Sequence, residues 1–152
     1  MSPNGDAFLL DPNTPPGPTR YAHARIAPAS AHRTIYISGI AAVTPDGKLE
    51  GATENADGTW DLDIREQTAA VLRRIDGIIR GASKGKGGIH NVIDAVVYVL
   101  DMKSHYAGMN EEWNKVFADR VSAPARATVG VKELPDPRFI VEIKAIAVVD
   151  FE

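Results

Sequence analysis

Apolar residues divide the chain into stretches of two kinds. Ile64, Thr68, Val71, Leu72, Ile75, Ile78, Ile79 and Ala82 recur at three- and four-residue spacings, while Arg65, Glu66, Arg73, Arg74 and Arg80 fall off that stripe. This pattern predicts an amphipathic helix with one buried face, capped by Asp61 or Asp63. Tyr106, Met109, Trp113, Val116 and Phe117 form a second helical stripe, with Ser104 as its cap and Pro124 closing the unit. Residues 34–42 and 91–100 are instead β-branched and aromatic runs, and predict strands. Residues 21–28 alternate over a shorter span, and residues 124–149 read as two further strands joined into a hairpin near Asp136.

The predicted order contains two strand–helix–strand crossovers, which imply a mixed sheet with both helices on one face. Val96, Val97, Val99, Val141, Ile143, Ile146 and Val148 make the strands apolar on both faces. One face then lacks a helical cover, and association through it is expected. Residues 45–47 (Pro-Asp-Gly) predict a turn, and Gly39 a bulge or close backbone approach. The glycine-rich run at 83–88 follows a helix and lacks the phosphate-loop spacing, so it reads as a connector. Residues 1–15 read as a flexible arm, and residues 16–152 as one domain.

Composition narrows the function classes. A chain of 152 residues with 44% hydrophobic and 24% charged residues fits one globular domain. The formal net charge of −3 gives no basic footprint for nucleic acid. The absence of cysteine removes disulfides, thiolate zinc sites and cysteine nucleophiles. His23, His32, His90 and His105 form no ligand-spaced pair, so no metal is expected. No apolar run reaches the ~20 residues of a membrane span, and the N-terminus lacks a signal pattern, so a soluble cytoplasmic protein is expected.

Two charged residues stand out in the last two predicted strands. Arg126 lies at the entry of one, and Glu142 lies among Ile140, Val141, Ile143 and Ile146 in the other. A guanidinium and a carboxylate in such surroundings suit anion binding and water activation. In a hairpin they stand four or five residues out of register, about 13 to 17 Å at ~3.3 Å per residue. One small substrate then reaches both within one chain only if the hairpin is strongly bent, and otherwise across a subunit interface.

The motifs RYAHA at Tyr21, YISGI at Ser38 and Gly39, DIREQT, VVYVLDM, YAGMN at Asn110, PARATV and VEIKAIAV together resemble the RidA/YjgF family of reactive-intermediate (enamine and imine) deaminases. The resemblance runs from about Pro16 to Val149. It implies a chorismate-mutase-like α+β fold, a mixed β-sheet with two helices packed on one face. It also implies a homotrimeric barrel-like assembly with sites between subunits, and a small-molecule carboxylate substrate without a cofactor or metal. By the same resemblance Arg126 grips the substrate carboxylate and Glu142 activates the attacking water. Tyr21, Ser38, Gly39, Asn110 and Thr128 fall at pocket positions. Residues 51–68 and 133–147 are most similar to the 2-aminomuconate deaminase branch, whereas His23 and Ile40 stand where glutamine is usual in the family. A dicarboxylate calls for a second cation, with Arg20, Arg25 and Arg138 as candidates. A general 2-imino-acid deaminase and a non-catalytic carboxylate-binding trimer remain the alternatives.

Overall fold

The computed structural model describes residues 2–13, 15 and 21–151. In chain order the elements are β1 (Asp6–Phe8), β2 (Ala24–Ile26), β3 (Arg33–Ile40), β4 (Ala52–Glu54), β5 (Trp60–Leu62), α1 (Ile64–Ala82), β6 (Val92–Leu100), α2 (Met102–Val116), β7 (Ala125–Val131) and β8 (Val141–Val149). The main sheet has the order β3-β8-β6-β7. β8 runs antiparallel to both neighbours, and β7 runs parallel to β6. Both helices pack on one face of this mixed sheet, an α+β arrangement, over a core containing Val71, Ile75, Ile79, Val97, Val99, Trp113, Phe117, Val141 and Ile143.

Local chemistry sets the helix boundaries. Asp63 accepts a hydrogen bond from the Glu66 backbone N–H at 3.0 Å, which resolves the choice of cap for α1. The cap of α2 differs from expectation. Asp101, in left-handed backbone (φ 46°), accepts from the Ser104 hydroxyl at 2.6 Å, so Ser104 is held by the cap rather than being it. The glycine-rich connector is explained by close packing. Ser83 Oγ accepts from the Gly87 N–H at 2.9 Å, and a Cβ on Gly88 would lie 2.8 Å from Asp76 Oδ1.

The expected hairpin of β7 with β8 does not form. β8 inserts between β3 and β6, and β7 takes the edge beyond β6. The reason lies in the side chains. β8 buries Val141, Ile143, Ala145 and Ala147 on the helix side and Val148 on the other, which suits a central strand. β7 carries Arg126, Gly130 and exposed Ala127 and Val129, which suits an edge.

Residues 2–8 also differ from the flexible arm expected there. The fully buried Asn4 amide donates to the Val92 carbonyl at 2.7 Å and the Ser122 carbonyl at 2.9 Å. β1 then pairs with β2. Arg25 closes this corner by donating to the Gly5, Val121 and Ala123 carbonyls and to Asn4 Oδ1. The buried Gln67 ties the start of α1 to two loops, donating to the Gly51 and Arg138 carbonyls and accepting from the Ile140 N–H.

The face away from the helices presents Tyr36, Val96, Tyr98, Val129, Glu142, Lys144 and Ile146. Tyr36 is 75% exposed there. This is the uncovered, largely apolar face expected from the sequence.

Candidate functional site

The sheet register decides where the two charged residues point. Arg126 pairs with Ala95, a core residue on the helix side. Glu142 pairs with Tyr98, on the open side. The two side chains therefore leave opposite faces of one sheet. They stand two strands and three residues apart, a Cα separation of about 14 Å. The expectation that they do not meet within one chain holds, although through the sheet rather than along a hairpin.

The Arg126 side runs along the edge strand beneath α2. A cavity of 460 Å³ is lined by Tyr21, Met102, Tyr106, Arg126, Ala127 and Thr128. The guanidinium lies 4.9 Å from the Trp113 ring centroid and 5.9 Å from that of Tyr21. Its Nη1 donates to Met109 Sδ at 3.6 Å. Among the described residues it makes no ion pair. Burial pushes Arg126 below the usual arginine value, and Tyr106 and Tyr21 push it back. Arg126 Nε, Thr128 Oγ1 and Asn110 Oδ1 are all buried without a hydrogen-bond partner among the described residues. A largely buried cation with its Nε unused has the chemistry to receive an anion.

The Glu142 side is built on a bulge. Between Ile37 and Ile40 the β3–β8 register shifts, and Ser38 and Gly39 lie in the gap. A Cβ on Gly39 would sit 2.0 Å from Glu142 Oε1. Glycine thus allows the carboxylate to lie directly against the backbone. Ser38 and Gly39 are exposed on this side.

The structure therefore sorts the sequence candidates into two groups. Arg126, Tyr21 and Thr128 line the cavity under α2, with Asn110 buried on α2. Glu142, Ser38 and Gly39 share the bulge on the far side of the sheet. Tyr106, Met102, Met109 and Trp113 were absent from the sequence candidates or assigned to packing. The signal was present, because Tyr106, Asn110 and Trp113 follow the i, i+4, i+7 spacing of one helix face.

The candidates for a second cation also separate. Arg25 is committed to the N-terminal corner described above. Arg138 donates to both carboxylate oxygens of Asp136, at 2.9 and 2.7 Å, and lies 5.1 Å over the Trp60 ring. Arg20 lies outside the described residues.

Comparison with known proteins places this architecture. The family model described as Endoribonuclease L-PSP matches residues 13–149. A RutC family protein from Aquifex aeolicus is 33% identical over 116 residues, covering 75% of this chain and 79% of that protein. The RutC family protein YoaB of Escherichia coli K12 is 35% identical over 99 residues, covering 65% of this chain and 78% of YoaB. In structure, the Rid-family protein YyfB from Yersinia pestis, described as of unknown function, superposes with a TM-score of 0.75. It has 22% identity and coverage of 95% of this chain and 99% of that one. Escherichia coli TdcF, solved with bound serine, superposes with a TM-score of 0.61, 22% identity and coverage of 89% and 97%. With the family model spanning nearly the whole described domain and two curated relatives in agreement, the chain belongs to the endoribonuclease L-PSP family, which is the RidA/YjgF family its motifs resemble.

Proposed function

We propose that this protein hydrolyses the C=N bond of an imine or enamine carboxylate, releasing ammonia, in a site shared between two copies of the chain. The observation that carries the reading is Arg126. Its guanidinium is largely out of water, borders a cavity and has no acidic partner among the described residues. Leaving such a charge unpaired costs several kcal/mol, about the scale that an arriving carboxylate offsets through two parallel N–H···O bonds.

The second half of the site is Glu142 in the Ser38–Gly39 bulge of a neighbouring copy, a closed homotrimer being the assembly that covers the open sheet face. The chemistry asks little of the protein. An enamine tautomerises to its imine, and Arg126 holds the adjacent carboxylate. Glu142 takes a proton from water as its oxygen bonds to the imine carbon. The nitrogen is protonated, the C–N bond breaks, the hydroxyl proton leaves, and a ketone and ammonia remain. Tyr21, Asn110 and Thr128 line or border the anchor half and fix the substrate, while Ser38 and Gly39 leave room for Glu142 and water.

Within this class we favour 2-aminomuconate, converted to 4-oxalocrotonate, on the resemblance of residues 51–68 and 133–147 to that branch. The net charge of −3 disfavours RNA as substrate despite the family's name. The serine bound to TdcF supports a second reading, carboxylate binding without turnover. The test is ammonia release from 2-aminomuconate and from 2-iminobutyrate generated in situ, compared with Arg126→Ala. The expected result is turnover lowered at least about 100-fold by the substitution. Full turnover by Arg126→Ala rejects the site. Carboxylate binding with no ammonia from either substrate favours the second reading.

A further inference from the structure

We propose that Trp113 is a positioning residue for the anion anchor: its ring, with the Met109 sulfur, holds the Arg126 guanidinium in place without neutralising it. This rests on the reading of Arg126 as the carboxylate anchor.

A half-buried arginine is usually oriented by a carboxylate, and that carboxylate would compete with the substrate. None is present here among the described residues. What surrounds the guanidinium instead is a phenol, Tyr106, and two soft groups. The Trp113 ring lies 4.9 Å away, and Met109 Sδ receives Nη1 at 3.6 Å. Trp113 is 1% exposed and Met109 fully buried, so both are fixed by the core. Trp113 is braced by Phe117, whose ring centroid lies 4.6 Å away at 45°. Phe117 is in turn met edge-on by His90 at 6.2 Å. An aromatic face attracts a cation through its quadrupole and uses up none of the cation's N–H donors. Sulfur is a weak acceptor and draws little on them. Arg126 therefore keeps its place without a carboxylate partner among the described residues, and its buried Nε has no partner among them.

The position has a spectroscopic consequence. The chain has two tryptophans, Trp60 and Trp113, so Trp60→Phe leaves Trp113 as the sole tryptophan, excited selectively over the tyrosines at the red edge. An anion arriving on the guanidinium changes the charge felt by the ring beneath it. Pyruvate serves as the probe, being the keto counterpart of a small 2-imino acid.

The experiment has two arms. In the first, Trp60→Phe protein is titrated with pyruvate while Trp113 emission is followed, and a saturable change is expected. In the second, Trp113→Phe and Trp113→Leu are compared for KM, kcat and the pyruvate Kd by calorimetry. Trp113→Leu is expected to raise KM and Kd about tenfold with kcat within about threefold, and Trp113→Phe to recover most of the loss. Equal KM for Trp113→Leu and wild type overturns the proposal, as does an equal loss in the Phe and Leu variants. If Trp113→Leu does not fold, unchanged emission in the first arm overturns it alone. Arg126→Ala separates the two claims. If Arg126→Ala binds pyruvate as wild type does, the anchor reading itself fails. If it loses binding while both Trp113 arms are null, only this inference fails.

Discussion

Substitution of Gly39 by alanine separates the function of the bulge from its contribution to folding. The added Cβ would lie 2.0 Å from Glu142 Oε1 and 2.9 Å from its Cδ. Ordinary contact begins at 3.4 Å, so the carboxylate oxygen must retreat by about 1.4 Å. The obstructing atom ends a flexible side chain, and rotation about its χ angles relieves the clash for about 1 kcal/mol. Folding is thus little affected. Catalysis is a different matter, because displacing a water-activating group by about 1 Å costs on the order of 100-fold in rate. Gly51→Ala is the control. There φ is +68°, and the new Cβ would meet the Gln67 backbone N at 2.8 Å and the Asp63 carbonyl oxygen at 2.9 Å, neither of which can swing away. Strain and clash together predict a loss of about 2 kcal/mol or more in stability. Thermal melts and ammonia release on both variants give the comparison. Gly39→Ala with wild-type turnover would refute the placement of Glu142 in the site. A Gly39→Ala melt lowered as far as that of Gly51→Ala would refute the relief of the clash by side-chain rotation.

Three further outcomes follow from the described contacts. Asn4→Ala removes two donated bonds to buried carbonyls and one accepted from Arg25, and is expected to lower stability by about 2 to 3 kcal/mol in denaturant melts; an unchanged midpoint contradicts the anchored N-terminus. Gln67→Leu keeps the volume but leaves the Ile140 N–H without its acceptor, predicting a loss of about 1 to 3 kcal/mol and faster hydrogen exchange at Ile140. The Arg138 guanidinium lowers Asp136 from 3.8 to about 2, so the pair contributes stability above about pH 4 that fades as pH falls through about 2. Melts of wild type and Asp136→Asn should therefore converge across that window, and a constant difference down to pH 2 argues against the pair.

The helices were legible because one side of each is buried and 3.6-residue spacing records this directly. Strand pairing was not. A turn-like segment around Asp136 favours a hairpin when only neighbours in sequence are weighed. The competing partner of β7 is β6, reached through α2, and local pattern carries no term for it. The clue was in composition: β8 carries apolar residues that are buried along its whole length, whereas β7 carries arginine and glycine. Of the site, the two charged residues and their separation were visible, since charges in apolar strands need a reason. The aromatic and sulfur setting of Arg126 was hidden, because Trp113 and Met109 fit a core stripe equally well. Arg25 misled as a free cation because most of its partners are backbone carbonyls, which no side-chain pattern reveals.

The central claim is that Arg126 of one chain works with Glu142 of another, and mixing two inactive proteins tests it directly. Arg126→Ala and Glu142→Gln subunits are unfolded together, refolded at equal ratio and assayed for ammonia release. In a site shared between copies, random assembly pairs an intact Arg126 with an intact Glu142 in about a quarter of sites, so recovery to about a quarter of wild-type activity is predicted. A mixture as inactive as its components, with subunit exchange verified by mass, contradicts the account.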